Sequence, residues 1–291
     1  METQLHISYL TSKFSAMLGQ YENSSTGLYP TPLPLVRMFD AELSALQVRF
    51  SKQWAPSNEI SFLGARLNLY AYVLTQTLEV TGPADSPQLK AAAEFVMLGS
   101  QAAMRLVHVM CTNPDEAIKG VQHSMYCFIY AVLFLLRISG TAQNAPIDRA
   151  EIQTAISQSW AVIKGLSKEA NDYMAKTCGV IEYASNHIDW CRAIPYPGKA
   201  NSLMANNFIA DVVVRASERY RKHGRDGPTQ RVDLSEIDLP VWSELELGAQ
   251  EVLDMFMEYV KRESAGMFIS GSSGDGILKE ESLRSDIMRN L

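Results

Sequence analysis

Met125 to Leu136 reads Met-Tyr-Cys-Phe-Ile-Tyr-Ala-Val-Leu-Phe-Leu-Leu, twelve apolar or aromatic residues between the polar pair His123-Ser124 and the charge of Arg137. A helix with no polar face must be surrounded on every side. At 1.5 Å per residue it would be about 18 Å long, short of the ~30 Å hydrocarbon core of a bilayer, so it reads as a central core helix and not a membrane span. Burying its large side chains at ~1.5–3 kcal/mol each would release a gross ~15–30 kcal/mol, most of which the ordering entropy of the surrounding chain offsets.

The neighbours needed to wrap such a rod are legible as amphipathic helices. Leu5, Ile7, Leu10, Phe14, Met17 and Leu18 recur at helical spacing over residues 3 to 18. Pro34 suits the first turn of a second helix carrying Leu35, Phe39, Leu43, Leu46 and Phe50, which ends near Trp54-Ala55-Pro56. Ser57 opens a third, through Leu63, Leu67, Tyr70, Val73, Leu74 and Leu78, with Glu59 where the helix dipole favours an anion. An alanine-rich helix follows from Gln88 to about Met110, and Asp115 and Glu116 suit the first turn of the central helix. Ile147, Ile152, Ile156, Trp160, Ile163 and Leu166 mark a further helix, Tyr173 to Ala184 another, and Leu203 to Tyr220 one more. Alternating, turn-bounded β-branched runs are absent. The expected fold is all-α, a large multi-helix bundle around a central, fully buried helix.

Organisation changes after residue 222. Residues 1–222 read as a helical core, 223–263 as a basic-to-acidic connection with an acidic amphipathic segment, and 264–291 as a flexible C-terminal tail. Between Asp233 and Glu263 nine acids stand against two bases, interleaved with Trp242, Leu245, Leu253, Phe256 and Tyr259. This is the composition of an activation-like, partner-binding segment; the plainer reading is an amphipathic packing helix, which the apolar spacing also supports.

A net charge of −6 argues against direct nucleic-acid binding by this chain, which needs a surplus of Lys and Arg to displace counterions. Cys111, Cys127, Cys178 and Cys191 form no Cys-x-x-Cys pair and read as reduced thiols of an intracellular protein. The first residues lack the basic start and apolar run of a secretory signal. The five histidines form no His-Glu-x-x-His; His187, near Asp189 and Cys191, is the most suggestive, yet the spacing matches no catalytic geometry. Gly274-Asp275-Gly276 starts like a dinucleotide fingerprint, but Lys279 stands where the third glycine belongs. No reaction is indicated, and the chain is read as a non-enzyme.

Several stretches together carry a family likeness. They are Leu35 to Trp54 with its Trp54-Ala55-Pro56 bend, Ala65-Arg66-Leu67-Asn68-Leu69-Tyr70, the rod ending Leu135-Leu136-Arg137, and Ser159-Trp160-Ala161-Val162-Ile163 with Ile181-Glu182 downstream. In order and spacing they resemble the regulatory, middle-homology region of fungal zinc-cluster transcription factors, over about residues 3 to 222. The resemblance implies a nuclear regulatory domain, shared in part with the cytoplasm, that answers to a small-molecule effector or to coactivator and regulatory proteins, with an acidic activation segment near its C-terminus. It allows a homodimer and implies no membrane partner. The family's six-cysteine cluster is missing, so no cofactor is expected in this chain, zinc belonging only to that cluster. Met1 then opens either a shortened form of a longer chain or a regulator that has lost its DNA reader. The alternative is an all-α enzyme or small-molecule binder whose inter-helical pocket is lined by Tyr70, Tyr126, Tyr130 and Trp160.

Overall fold

The computed structural model describes residues 2–19, 33–77, 87–113, 115, 123–141, 148–169 and 172–186. The acidic segment with Trp242, Leu245, Leu253, Phe256 and Tyr259, the expected helix at 203–220, His187 and the tail lie outside these residues. The described part is all-α, seven helices without a strand among them: α1 (Glu2–Gly19), α2 (Leu33–Arg49), α3 (Pro56–Thr77), α4 (Pro87–Thr112), α5 (His123–Thr141), α6 (Arg149–Leu166) and α7 (Tyr173–Asn186).

Local chemistry sets several of these ends. α2 stops at Arg49, earlier than the Trp54 bend suggested, because Phe50 leads into a tight 3₁₀ turn over Ser51–Gln53. Trp54 is then extended, as a residue two positions before a proline-led helix allows, and Pro56 occupies the first position of α3, where its missing N–H costs nothing. Asp148 starts α6 by accepting hydrogen bonds from the backbone N–H of Ala150 (2.9 Å) and Glu151 (3.2 Å).

α5 is the rod. It begins at His123, so Asp115 does not belong to its first turn. Every side chain from Ser124 to Ser139 is buried. Two expectations about its borders need correction, since Ser124 and Arg137, the expected polar limits, are themselves inside; Arg137 is only 5% exposed. Its long aliphatic stem lets a guanidinium-bearing residue share an apolar environment along most of its length.

The rod packs against α3, α4, α6 and α7, while α3 packs against α1, α2, α4 and α5. The core therefore has two centres, α5 and α3. They run parallel, Ser61 level with His123 and Gly64 with Cys127. Ring pairs Phe14–Phe39 and His6–Phe50 set α1 antiparallel to α2, on the outside of α3. Two glycines make the close approach to the rod: a Cβ at Gly64 would sit 2.5 Å from the Cys127 Sγ, and one at Gly99 would collide with the Phe134 ring. Within α4, Ala93–Thr112 is long and apolar enough to cross a membrane by length and composition, and Phe95, Val96, Ala103, Leu106, Val107 and Met110 on it are buried in the bundle.

Candidate functional site

Two polar clusters join α3 to its neighbours. Because α2 and α3 are antiparallel, Asp40 and Ser44, one turn apart, face Arg66 and Tyr70, also one turn apart. The Asp40 Oδ1 accepts from Arg66 Nε at 2.8 Å and from the Tyr70 hydroxyl at 2.7 Å; Arg66 also donates to Ser44 Oγ at 2.7 Å. The guanidinium stacks 4.8 Å from the Phe62 ring centre. Burial, and then the hydrogen bond to Asp40, push the Tyr70 phenol well above its ordinary range despite the opposing charge of Arg66. With the carboxylate bonded to both Arg66 and Tyr70, the cluster is a charge-balanced clamp between two helices.

A second cluster joins α3 to the rod. The His123 Nε2 lies 3.1 Å from Ser61 Oγ and 3.7 Å from Cys127 Sγ. The Ser61 hydroxyl also reaches the Ser57 carbonyl, 3.1 Å away. Which of Ser61 and Cys127 donates to Nε2 and which accepts from it follows from the imidazole tautomer. Burial pushes the Cys111 thiol up, and pushes Cys178 up to about 12 against the charge of Lys164.

The four aromatics expected to line one pocket each make contacts of their own. Tyr126 and Tyr130 are neighbours on the rod, ring centres 5.9 Å apart. Burial first, then the company of Tyr126, Tyr72 and Cys127, raises the Tyr130 phenol. Tyr70 gives its hydroxyl to Asp40 and its ring to Phe95 at 5.5 Å. Trp160 sits half-buried on α6 beneath the Lys164 ammonium, 4.4 Å from its ring, with its carbonyl facing the Cys178 thiol.

The surface supplies a different candidate. Among the described residues six large hydrophobic side chains are exposed, and five of them stand on the outermost pair, α1 and α2. Leu5 (66% exposed), Tyr9 (65%) and Met17 follow one line of α1; Met38 and Val48 (76%) follow one line of α2. Pro34, Met38, Ala41, Ala45 and Val48, all exposed, are spaced four, three, four and three residues apart, which is one straight seam of a helix. Lys13 on the α1 line reaches Glu42 beside the α2 seam at 3.7 Å, so an ion pair ties the two helices together beside their exposed apolar lines.

No protein-family model, curated protein or solved structure matches this chain. Its function has to be argued from its own residues and their placement.

Sequence reasoning counts Leu5 and Met17 with the buried side of α1. The buried line is instead Thr3, Ile7, Leu10, Phe14 and Leu18. At 100° per residue Leu5 lies 200° round from Ile7 and cannot share its face. On α2 the signal was available and missed: the helix carries a buried apolar line at Val36, Phe39 and Leu43 and a second at 34, 38, 41, 45 and 48, and a helix with two apolar lines needs two surfaces to cover them. His123 reads in the sequence as an ordinary residue flanking the rod; its meeting with Ser61, sixty-two positions earlier, has no local signature.

Proposed function

We propose that this chain is a helical regulatory domain that works by contact, of the kind its sequence resembles in fungal zinc-cluster transcription factors. It acts in the nucleus, responding to a partner protein or small metabolite and controlling whether the acidic segment at 233–263 is available to a coactivator. The observation that carries the reading is the gathering of exposed hydrophobic side chains on α1 and α2. Surface hydrophobics scattered singly need no explanation, whereas a contiguous group on one helix pair marks an interaction site. An effector would act by binding the exposed and concealed states unequally. The alternative, an enzyme or binder with an inter-helical pocket, needs Tyr70, Tyr126, Tyr130 and Trp160 to converge on one cavity.

The test fuses the whole chain to an unrelated DNA-binding module and measures a reporter gene bearing that module's site. The fusion is expected to raise transcription, and Trp242→Ala with Phe256→Ala to bring it down severalfold. A reporter that stays at the level of the DNA-binding module alone, with and without those substitutions, overturns the reading.

A further inference from the structure

We propose that the groove between α1 and α2 is the docking surface for residues 233–263 of this same chain, which deepens the regulatory reading and rests on it. The shape fits an amphipathic helix laid into a groove: small Ala41 and Ala45 lie between larger Met38 and Val48, with Leu5 and Tyr9 on the opposite wall. The five exposed large side chains present on the order of 500 Å² of apolar surface, the size at which a patch on a monomer marks an interaction site.

Charge selects the occupant. Both acids of α2 are engaged, Asp40 by Arg66 and Glu42 by Lys13, and Arg37 is held by Glu94 at 2.7 Å. Beyond Val48, Arg49 and Lys52 are exposed with no carboxylate at ion-pair distance among the described residues. On α1 the exposed Glu2 has only His6 within reach among the described residues, at 3.9 Å, so two bases stand against one acid and the charge left over beside the groove is positive. A basic partner would meet like charge there. Residues 233–263 carry nine acids against two bases, with apolar side chains at 245, 249, 252, 253, 256 and 260, the spacing of one helix face. Forty-six residues separate Asn186 from Asp233. At about 3.3 Å each when extended they span several times the ~26 Å length of α2, so reach does not prevent docking within one molecule.

The test treats the intact protein with a zero-length carbodiimide, which couples carboxylates to lysines in direct contact, and maps the joined peptides. Lys52 is expected to couple to acids within 233–263. Tyr9→Glu with Val48→Glu, at exposed positions that leave helicity unchanged, should cut that yield about tenfold, the effect of ~1.4 kcal/mol. Met97→Glu, an exposed position on α4, should leave it as it was. An undiminished yield in the double variant overturns the proposal, and so does coupling only between differently isotope-labelled copies, which would make a second chain the occupant. A silent reporter with the expected coupling removes the transcriptional reading and keeps the docking; an active reporter with coupling indifferent to Tyr9 and Val48 does the reverse.

Discussion

The rod α5 and the outer helix α2 are both rich in apolar residues, and the protein treats them in opposite ways. Around the rod the neighbours are hollowed to receive it: Gly64 gives way to Cys127 and Gly99 to Phe134, and no side chain from Ser124 to Ser139 is left exposed. α2 buries one apolar line against α1 and α3 and turns its second outward, with alanines at the centre of the exposed seam. Small residues in both places shorten a helix-to-helix distance. At the rod that distance is already taken up, whereas the α2 seam is left exposed among the described residues.

The contrast can be broken first at the rod. Phe134→Ala removes a fully buried ring that fills the space beside Gly99 and should cost about 3–5 kcal/mol, read as a lower denaturant midpoint with an unchanged slope. A loss of only a few tenths would mean the ring is not enclosed as described. Asp40→Ala, at the clamp between α2 and α3, strands the Arg66 guanidinium and the Tyr70 hydroxyl and should cost about 1–3 kcal/mol. The companion Tyr70→Phe should cost less, because it removes donor and need together; equal losses would show that the carboxylate is not shared.

A third expectation concerns acid. Burial pushes the Asp172 carboxyl up, but hydrogen bonds from the backbone N–H of Ala175, Lys168 and Glu169 and from the Ser167 hydroxyl outweigh it and hold the group down at about 2. Its folded value lies below its ordinary one, so its contribution is complete above the ordinary carboxylate range and is lost as pH falls toward 2. Solvent around the carboxyl screens part of this gain, so the stability difference between wild type and Asp172→Asn should be about 1 kcal/mol at neutral pH and should shrink toward zero in acid. A gap that stays constant with pH would place the benefit in shape and not in charge. The smallest effect belongs to the outer seam, where Val48→Glu should shift stability by no more than about 0.5 kcal/mol while weakening contact at the groove. A large loss there would mean that Val48 belongs to the core.

How much of this could be read in advance differs by element. The helices, their order and the rod were legible, because 3.6-residue periodicity, prolines at helix starts and an unbroken apolar run are local signals. The border of the rod was misjudged at Arg137 because a long side chain carries its charge far from its own backbone, so a charged letter need not mark a surface position. The pocket expected from Tyr70, Tyr126, Tyr130 and Trp160 was an inference from residue type. The bond from the Tyr70 hydroxyl to a carboxylate thirty positions away has no local signature, since the pairing exists only once α2 and α3 lie antiparallel.

By itself the sequence determined that this chain is helical and that a wholly apolar rod must lie inside it, since a backbone helix with no polar face has no stable place in water. Only the tertiary structure decided which of two apolar lines on α1 and α2 faces inward, which glycines receive the rod, and that Asp40, Arg66 and Tyr70 neutralise one another. Those outcomes depend on the rotation of each helix about its axis and on which helix lies beside it, and both are set by long-range packing that no local stretch of residues encodes.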